Sequence, residues 1–190
     1  VNTDAGVFAF FNDTIRNVIH GGVFTATDKG FTSGNMTGST KMTVSAGYTA
    51  TNVWGSNGGS VDTPLQTINY ASCHDNYTLF DNFTVDALDL NGLELSAENA
   101  AKVADQAAAY NNLAAAYYIT AQGVPFIHAG EEMLRSKPDA QQENGFNHNS
   151  YNAGDEINSI KWSGLEDELI DASHDYYQGL IAFRKAHPAL

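Results

Sequence analysis

The stretch Tyr70-Ala71-Ser72-Cys73-His74-Asp75-Asn76-Tyr77-Thr78 sets an imidazole and a carboxylate side by side where an apolar run ends. The run, LQTINYAS (65–72), has the β-branched and aromatic content of a strand. His-Asp-Asn belongs to a loop or a site. A local hydrogen bond or a turn cap would use the same residue types without any reaction. Sugar recognition would use them differently: hydroxyls need fixed polar partners, and the C–H faces of sugar rings need flat apolar surfaces. Asn76, Tyr77 and Phe80 follow the pair and supply both. Thiol chemistry would couple Cys73 to His74, but neighbours on a strand point to opposite faces. Cys73 therefore reads as a small packing residue.

A metal site would draw on His128, Glu131, Glu132 and His148. Their spacing matches no zinc motif, and His128 lies inside the apolar run VPFIHAG (124–130), where a packed or hydrogen-bonded histidine is expected. Glu131-Glu132 also reads as the start of a helix. No metal ligand is assigned, no cofactor is implied, and calcium use is left open. There is no G-x-S-x-G, Walker loop or G-x-G-x-x-G, which removes serine triads and phosphate loops.

Composition bounds the partners. The chain has 190 residues and 43% apolar content, enough for a sizeable core. Nine basic residues stand against 22 acidic ones, a net charge of −13. Nucleic acid is disfavoured, since phosphate contacts need a basic face, and so is an anionic membrane surface. No apolar stretch approaches the ~20 residues of a membrane span. A neutral or cationic ligand fits better. Cys73 is the single cysteine, so no internal disulfide exists and no compartment is fixed. The ends, Val1 and FRKAHPAL, are those expected of a piece of a longer protein.

The elements that must hold the pair follow from pattern. GVFAFFND (6–13) predicts a strand, with Asp13 capping a short helix TIRNVIH that Gly21-Gly22 ends. Residues 25–60 are Gly-, Ser-, Thr- and Asn-rich loop, with weak helical periodicity around 40–54. Residues 65–72 form the second strand, and 73–95 a long connection. Ser96 caps a long helix whose buried stripe is Val103, Ala107, Tyr110, Ala114 and Tyr117; Gly123 stops it. VPFIHAG is the third strand. Residues 131–172 are a second long connection, and Ser173 caps a last helix that ends near Pro188. Strand–helix repetition predicts an α/β fold of consecutive βα units on a parallel sheet. Both connections far exceed the ~2–6 residues usual for βα loops, a length associated with binding or catalysis. In barrels and open α/β sheets ligands sit beyond the carboxyl ends of the strands, where His74 and Asp75 fall.

INYASCHDNYTLFD (68–81) resembles the fourth conserved region of the alpha-amylase superfamily, glycoside hydrolase family thirteen. More narrowly, it looks like the same region of the debranching type I pullulanases. FFNDTIRNVIHGGVF (10–24), KGFTSGN (29–35), QGVPFIHAGEEMLRSK (122–137) and NSYNAGDEINSIKW (149–162) agree in order along nearly the whole chain. The resemblance implies a partial (β/α)8 TIM barrel filling residues 1–190, with 6–12, 66–72 and 124–129 as its sixth, seventh and eighth strands. It implies cleavage of α-1,6-glucosidic bonds in pullulan and branched starch by a retaining mechanism. Asp75 would be the transition-state-stabilising carboxylate, His74 a hydrogen-bond donor to the same sugar, and Asn76 and Tyr77 part of the neighbouring subsite. Asp155 and Asn152 would contact sugar further along. The nucleophile and the acid/base are expected upstream of Val1, in the barrel half that this chain would need as a partner. The isolated fragment is therefore expected to be inactive and poorly soluble. A bacterial extracellular or cell-surface setting is compatible with this.

Three departures stand out. Ser159 occupies a place where some family members carry Arg, Phe80 one where relatives often carry Trp, and Cys73 a variable one. A non-catalytic glucan-binding fragment, with Trp54, Tyr77, Phe80, Tyr151 and Trp162 as stacking surfaces, is the alternative. Trp162 is expected to be a core residue. Isoamylase or branching activity is the variant reading within the superfamily, and a metal-dependent hydrolase the remaining one.

Overall fold

The computed structural model describes residues 9–21 and 64–190. The expected loop at 25–60 with its periodicity at 40–54, Trp54, and the start of the first expected strand lie outside the described residues. The chain divides into two compact units. One comprises the described residues up to Ala71 with Ala114–Ile127 and Leu180–Leu190; the other comprises Ser72–Leu113 and His128–Gly179.

The first unit holds a three-stranded parallel sheet in the order β1-β2-β3, with β1 Phe10–Phe11, β2 Thr67–Asn69 and β3 Val124–Pro125. Phe10 lies opposite Thr67, and Ile68 opposite Val124. All three expected strands exist, each shorter than its apolar run. The ladder continues past their ends as single bonds: the Asn12 N–H donates to the Ile68 carbonyl at 2.8 Å, and the Phe126 N–H to that of Asn69 at 2.8 Å. Buried asparagines then take over. Asn12 Nδ2 donates to Asn69 Oδ1 at 3.0 Å, and Asn69 Nδ2 to the Gln122 carbonyl at 2.7 Å. Side-chain amides thus satisfy backbone and each other where regular pairing stops.

Helix α1, Asp13–His20, follows β1. Its cap is Asn12, not Asp13: Asn12 Oδ1 accepts from the Ile15 N–H at 3.2 Å. Asp13 instead accepts from the Tyr70 hydroxyl at 2.6 Å, and Arg16 Nη1 donates to that hydroxyl at 2.7 Å. Gly21, at φ +91°, ends the helix as expected. Helix α2, Leu79–Leu90, overturns the expectation of an irregular connection over 73–95. Thr78 caps it, and Leu79, Phe83 and Ala87, four apart, are buried with Leu88. Its Asn, Thr, Val and Asp residues are indifferent helix formers, so packing rather than propensity makes it.

Helix α3 is Ala97–Thr120, and Ser96 caps it, accepting from the Asn99 N–H at 3.1 Å. Val103, Ala107 and Ala114 of the expected stripe are buried, but Tyr110 and Tyr117 are half-exposed, and the stripe is completed by Ala108, Asn111, Ala115 and Tyr118. After a four-residue helix α4, Asp155–Asn158, the last helix α5 spans Glu168–Ala186. Ser173 does not cap it. Asp167 Oδ1 accepts from the N–H groups of Leu169 and Ile170 at 2.9 and 3.3 Å, while Ser173 is interior and donates to Asn112 at 2.8 Å. The late cations are where the dipole favours them, and Arg184 also donates to the carbonyls of Ile119, Ala121 and Gly123 at 2.6, 2.8 and 2.5 Å. Among the described residues no helix is long and apolar enough to cross a membrane.

His20 makes the first unit acid-sensitive. Burial, then the Arg16 cation, holds its imidazole down to about 4 from an ordinary 6.5. The unfolded chain therefore binds a proton that the folded one refuses. Stability from this group is complete above pH ~6.5 and lost as pH falls toward 4, by roughly 3 kcal/mol. Unfolding free energies at neutral and acid pH should show that loss, and His20→Gln should flatten it. An unchanged slope in the variant would refute the assignment.

Candidate functional site

Beyond β2 the chain runs through Tyr70–Tyr77 without regular structure. In the second unit two anchors bracket the His-Asp pair. The Ser72 hydroxyl donates to Glu131 Oε2 at 2.7 Å, and Thr78 caps α2. Between them Asn76 adopts φ +65°, a left-handed conformation that asparagine tolerates better than most residues. His74 Nε2 and Asp75 Oδ2 stand 3.5 Å apart, with 83% and 72% of their side chains exposed. The local pairing is real, and both groups are open to a ligand. Tyr77 is half-buried; its hydroxyl accepts from Asn144 Nδ2 at 3.1 Å, and its ring meets His148 edge-on at 5.7 Å.

Glu131 is no metal ligand in this arrangement. It is buried, accepting from Ser72 and, at 2.9 Å, from the Tyr177 hydroxyl. Glu131–Met133 is a short 3₁₀ turn, so the pair does open a helical segment, and Glu132 accepts from the Gly130 N–H at 3.1 Å. Burial, then Arg135, Lys137 and His74, pushes the His128 imidazole down to about 4. His128 is therefore neutral at neutral pH, as a packed histidine should be, and its Nε2 lies 3.4 Å from Arg135 Nη1.

Two polar clusters, the first of them buried, hold the long second connection. Asp81 on α2 accepts from the Ser136 hydroxyl at 2.5 Å and the Lys137 N–H at 2.8 Å. Buried Lys137 donates to the Ser150 hydroxyl at 2.6 Å. Arg135 donates to the Ala129 carbonyl at 3.0 Å and also to that of Asn158, tying the turn after His128 to α4. Asn158 Nδ2 in turn donates to the carbonyls of Ser150 and Ala153 at 2.7 and 3.0 Å. The sequence reading missed the partners of Asp81 and the Arg135–Asn158 contact because they join residues 23 to 56 apart, and nothing local marks them.

Asp155 opens α4 and is exposed, as are Asn152 and Tyr151. Lys161 Nζ donates to the Ser159 hydroxyl at 2.5 Å and to the Asp155 carbonyl at 3.3 Å, so a cation stands beside the serine that lacks one. Among the described residues no hydrogen bond or ion pair joins Asp155 or Asn152 to His74 and Asp75. Trp162 is 67% exposed, not a core residue. A cavity of about 370 Å³ lies in the first unit, lined in part by Ile119, Ile127 and Ile181, with none of the predicted site residues on its wall. Cys73 is a further correction. Because β2 ends at Asn69, residues 73–75 do not alternate faces, and one donor atom each of Cys73, His74 and Asp75 lies within 4.8 Å of the other two.

No protein-family model matches the chain. Over 180 residues, 95% of this chain and 22% of the relative, it is 35% identical to a pullulanase of Bacillus subtilis. It is also 35% identical to a Flavobacterium isoamylase, over 78% of this chain and 20% of that protein. A crystal structure of Paenibacillus barengoltzii pullulanase, in complex with maltohexaose and alpha-cyclodextrin, superposes with a TM-score of 0.72 at 34% identity, covering 95% of this chain and 25% of that one. The chain thus spans about a fifth to a quarter of the length of these relatives. Matched along nearly its whole length in sequence and in fold, the chain is a relative of the pullulanases and corresponds to one part of them.

Proposed function

We propose that this chain is the C-terminal portion of a (β/α)8 catalytic barrel in an enzyme that cleaves α-1,6-glucosidic bonds of pullulan and branched starch with retention. β1, β2 and β3 are its sixth, seventh and eighth strands, and the remaining strands pair beyond β1 and β3. Asp75 accepts hydroxyl hydrogen bonds from the sugar at the cleavage point and favours the distorted, oxocarbenium-like ring. His74 donates to the same sugar. Such contacts accelerate the reaction to the extent that they strengthen at the transition state. Asn76 and Tyr77 line the adjoining subsite, and Asn152 and Asp155 meet sugar further out. The nucleophile and the acid/base, roughly 5 Å apart in retaining enzymes, come from the rest of the barrel.

The observation that carries this reading is the bracketed, open pair: imidazole and carboxylate 3.5 Å apart, anchored on both sides through Ser72 and Thr78, and largely exposed. Matched relatives whose structures hold maltooligosaccharides support a glucan as the ligand. The test is hydrolysis of pullulan by the protein carrying this chain, beside the isolated 190 residues. Opening of α-1,6 links by the former and none by the latter is expected. Glucan binding without cleavage by the complete protein would favour a binding module, and turnover by the isolated chain would overturn the division of roles.

A further inference from the structure

We propose that Cys73, His74 and Asp75 together form a site for a soft divalent cation of the zinc class. One sulfur, one imidazole nitrogen and one carboxylate oxygen lie within 4.8 Å of one another. That is a zinc donor set: thiolate, imidazole and carboxylate, with a fourth position left for water. Bonds of about 2.0–2.3 Å to a shared ion require the donors to close by about 1 Å, a movement the exposed His74 and Asp75 side chains make toward the half-buried Cys73 by changing rotamer. Among the described residues none of the three donor groups is committed elsewhere. Apart from the 3.5 Å contact between His74 and Asp75, they make no hydrogen bond or ion pair to another described residue. The backbone is held on both sides by Ser72 and Thr78, so little of it remains to be ordered.

Charge balance points the same way. A thiolate and a carboxylate cancel a dication, while the neutral imidazole completes the set. Binding displaces the thiol proton to solvent, so affinity rises with pH. The ion would occupy the two groups assigned above to the sugar. It is therefore an inhibitor of glucan cleavage, a consequence that rests on that assignment while the site itself does not. Asp171, His174 and Asp175 on α5 also gather three donors, but they offer no sulfur, which makes the two sites spectroscopically distinct.

The experiment is titration of the protein carrying this chain with cadmium, following sulfur-to-cadmium charge-transfer absorption in the ultraviolet. A band that saturates with a single cadmium per chain, disappears in Cys73→Ser and is bleached by zinc is expected. His74→Gln and Asp75→Asn should each weaken binding at least about tenfold, the lower end of what even an outer-shell partner contributes. A spectrum unchanged by Cys73→Ser, or variants at 74 and 75 that bind as tightly as the parent, would overturn the site. Pullulan hydrolysis separates the two ideas. Zinc should inhibit the parent and spare Cys73→Ser. Cadmium binding at Cys73 with hydrolysis indifferent to zinc would uphold the cation site and refute the sugar role of the pair.

Discussion

Asp75→Asn is expected to lower kcat for pullulan cleavage by the complete enzyme about a hundredfold to a thousandfold, with the melting temperature unchanged. The substitution preserves shape and one acceptor oxygen but removes the charge. If the carboxylate stabilises a developing oxocarbenium ion and the hydroxyls of its ring, the loss falls on the transition state, in the range seen when a single preorganised group is removed. Because 72% of the side chain is exposed and, among the described residues, its only ion-pair contact is with His74, stability should move by no more than ~0.5 kcal/mol. Steady-state kinetics and a thermal melt on the same preparation check both halves. Activity within a few-fold of the parent would remove Asp75 from the reaction.

Asp81→Ala should act on stability instead. The carboxylate is fully buried and accepts from the Ser136 hydroxyl and the Lys137 N–H. Burial pushes its pKa up, and the hydrogen bonds from Ser136, Lys137 and Thr78 pull against that shift. Truncation leaves the buried Lys137 N–H without its acceptor at about 1–3 kcal/mol, and the half-buried Ser136 hydroxyl at less, so a loss of roughly 1–4 kcal/mol is expected in denaturant unfolding. Asp81→Asn keeps one acceptor and should be milder. A change below ~1 kcal/mol in the alanine variant would mean that water replaces the lost oxygen atoms.

What the sequence disclosed divides along physical lines. Strands at the right places, the Ser96 cap and the Gly21 stop were all legible, because each depends on a few adjacent residues. α2 was hidden because Asp, Asn and Thr interrupt its apolar rows, and only the burial of Leu79, Phe83 and Ala87 reveals its inner face. The caps of α1 and α5 were displaced, to Asn12 by one residue and to Asp167 by six, since several Asp, Asn and Ser residues compete at each end and tertiary partners decide among them. At the site, the His-Asp pairing was readable from adjacency. The inclusion of Cys73 was not, because it depends on where the strand stops. Glu131 as the acceptor for Ser72 and Tyr177 was equally out of reach, with 59 and 46 residues between the partners.

The unit that contains the sheet is assembled from three separated stretches of chain, and its last piece is Leu180–Leu190. The carbonyls of Ile119, Ala121 and Gly123 meet the Arg184 guanidinium across 65, 63 and 61 residues. On the ribosome, these acceptors emerge long before their donor. A nascent chain stalled between Pro125 and Arg184 holds β1, β2 and β3 with the carbonyls of Ile119, Ala121 and Gly123 still hydrated. The sheet unit therefore cannot close until Arg184 has been made, so the end of α3 waits on a residue more than 60 positions later in the chain.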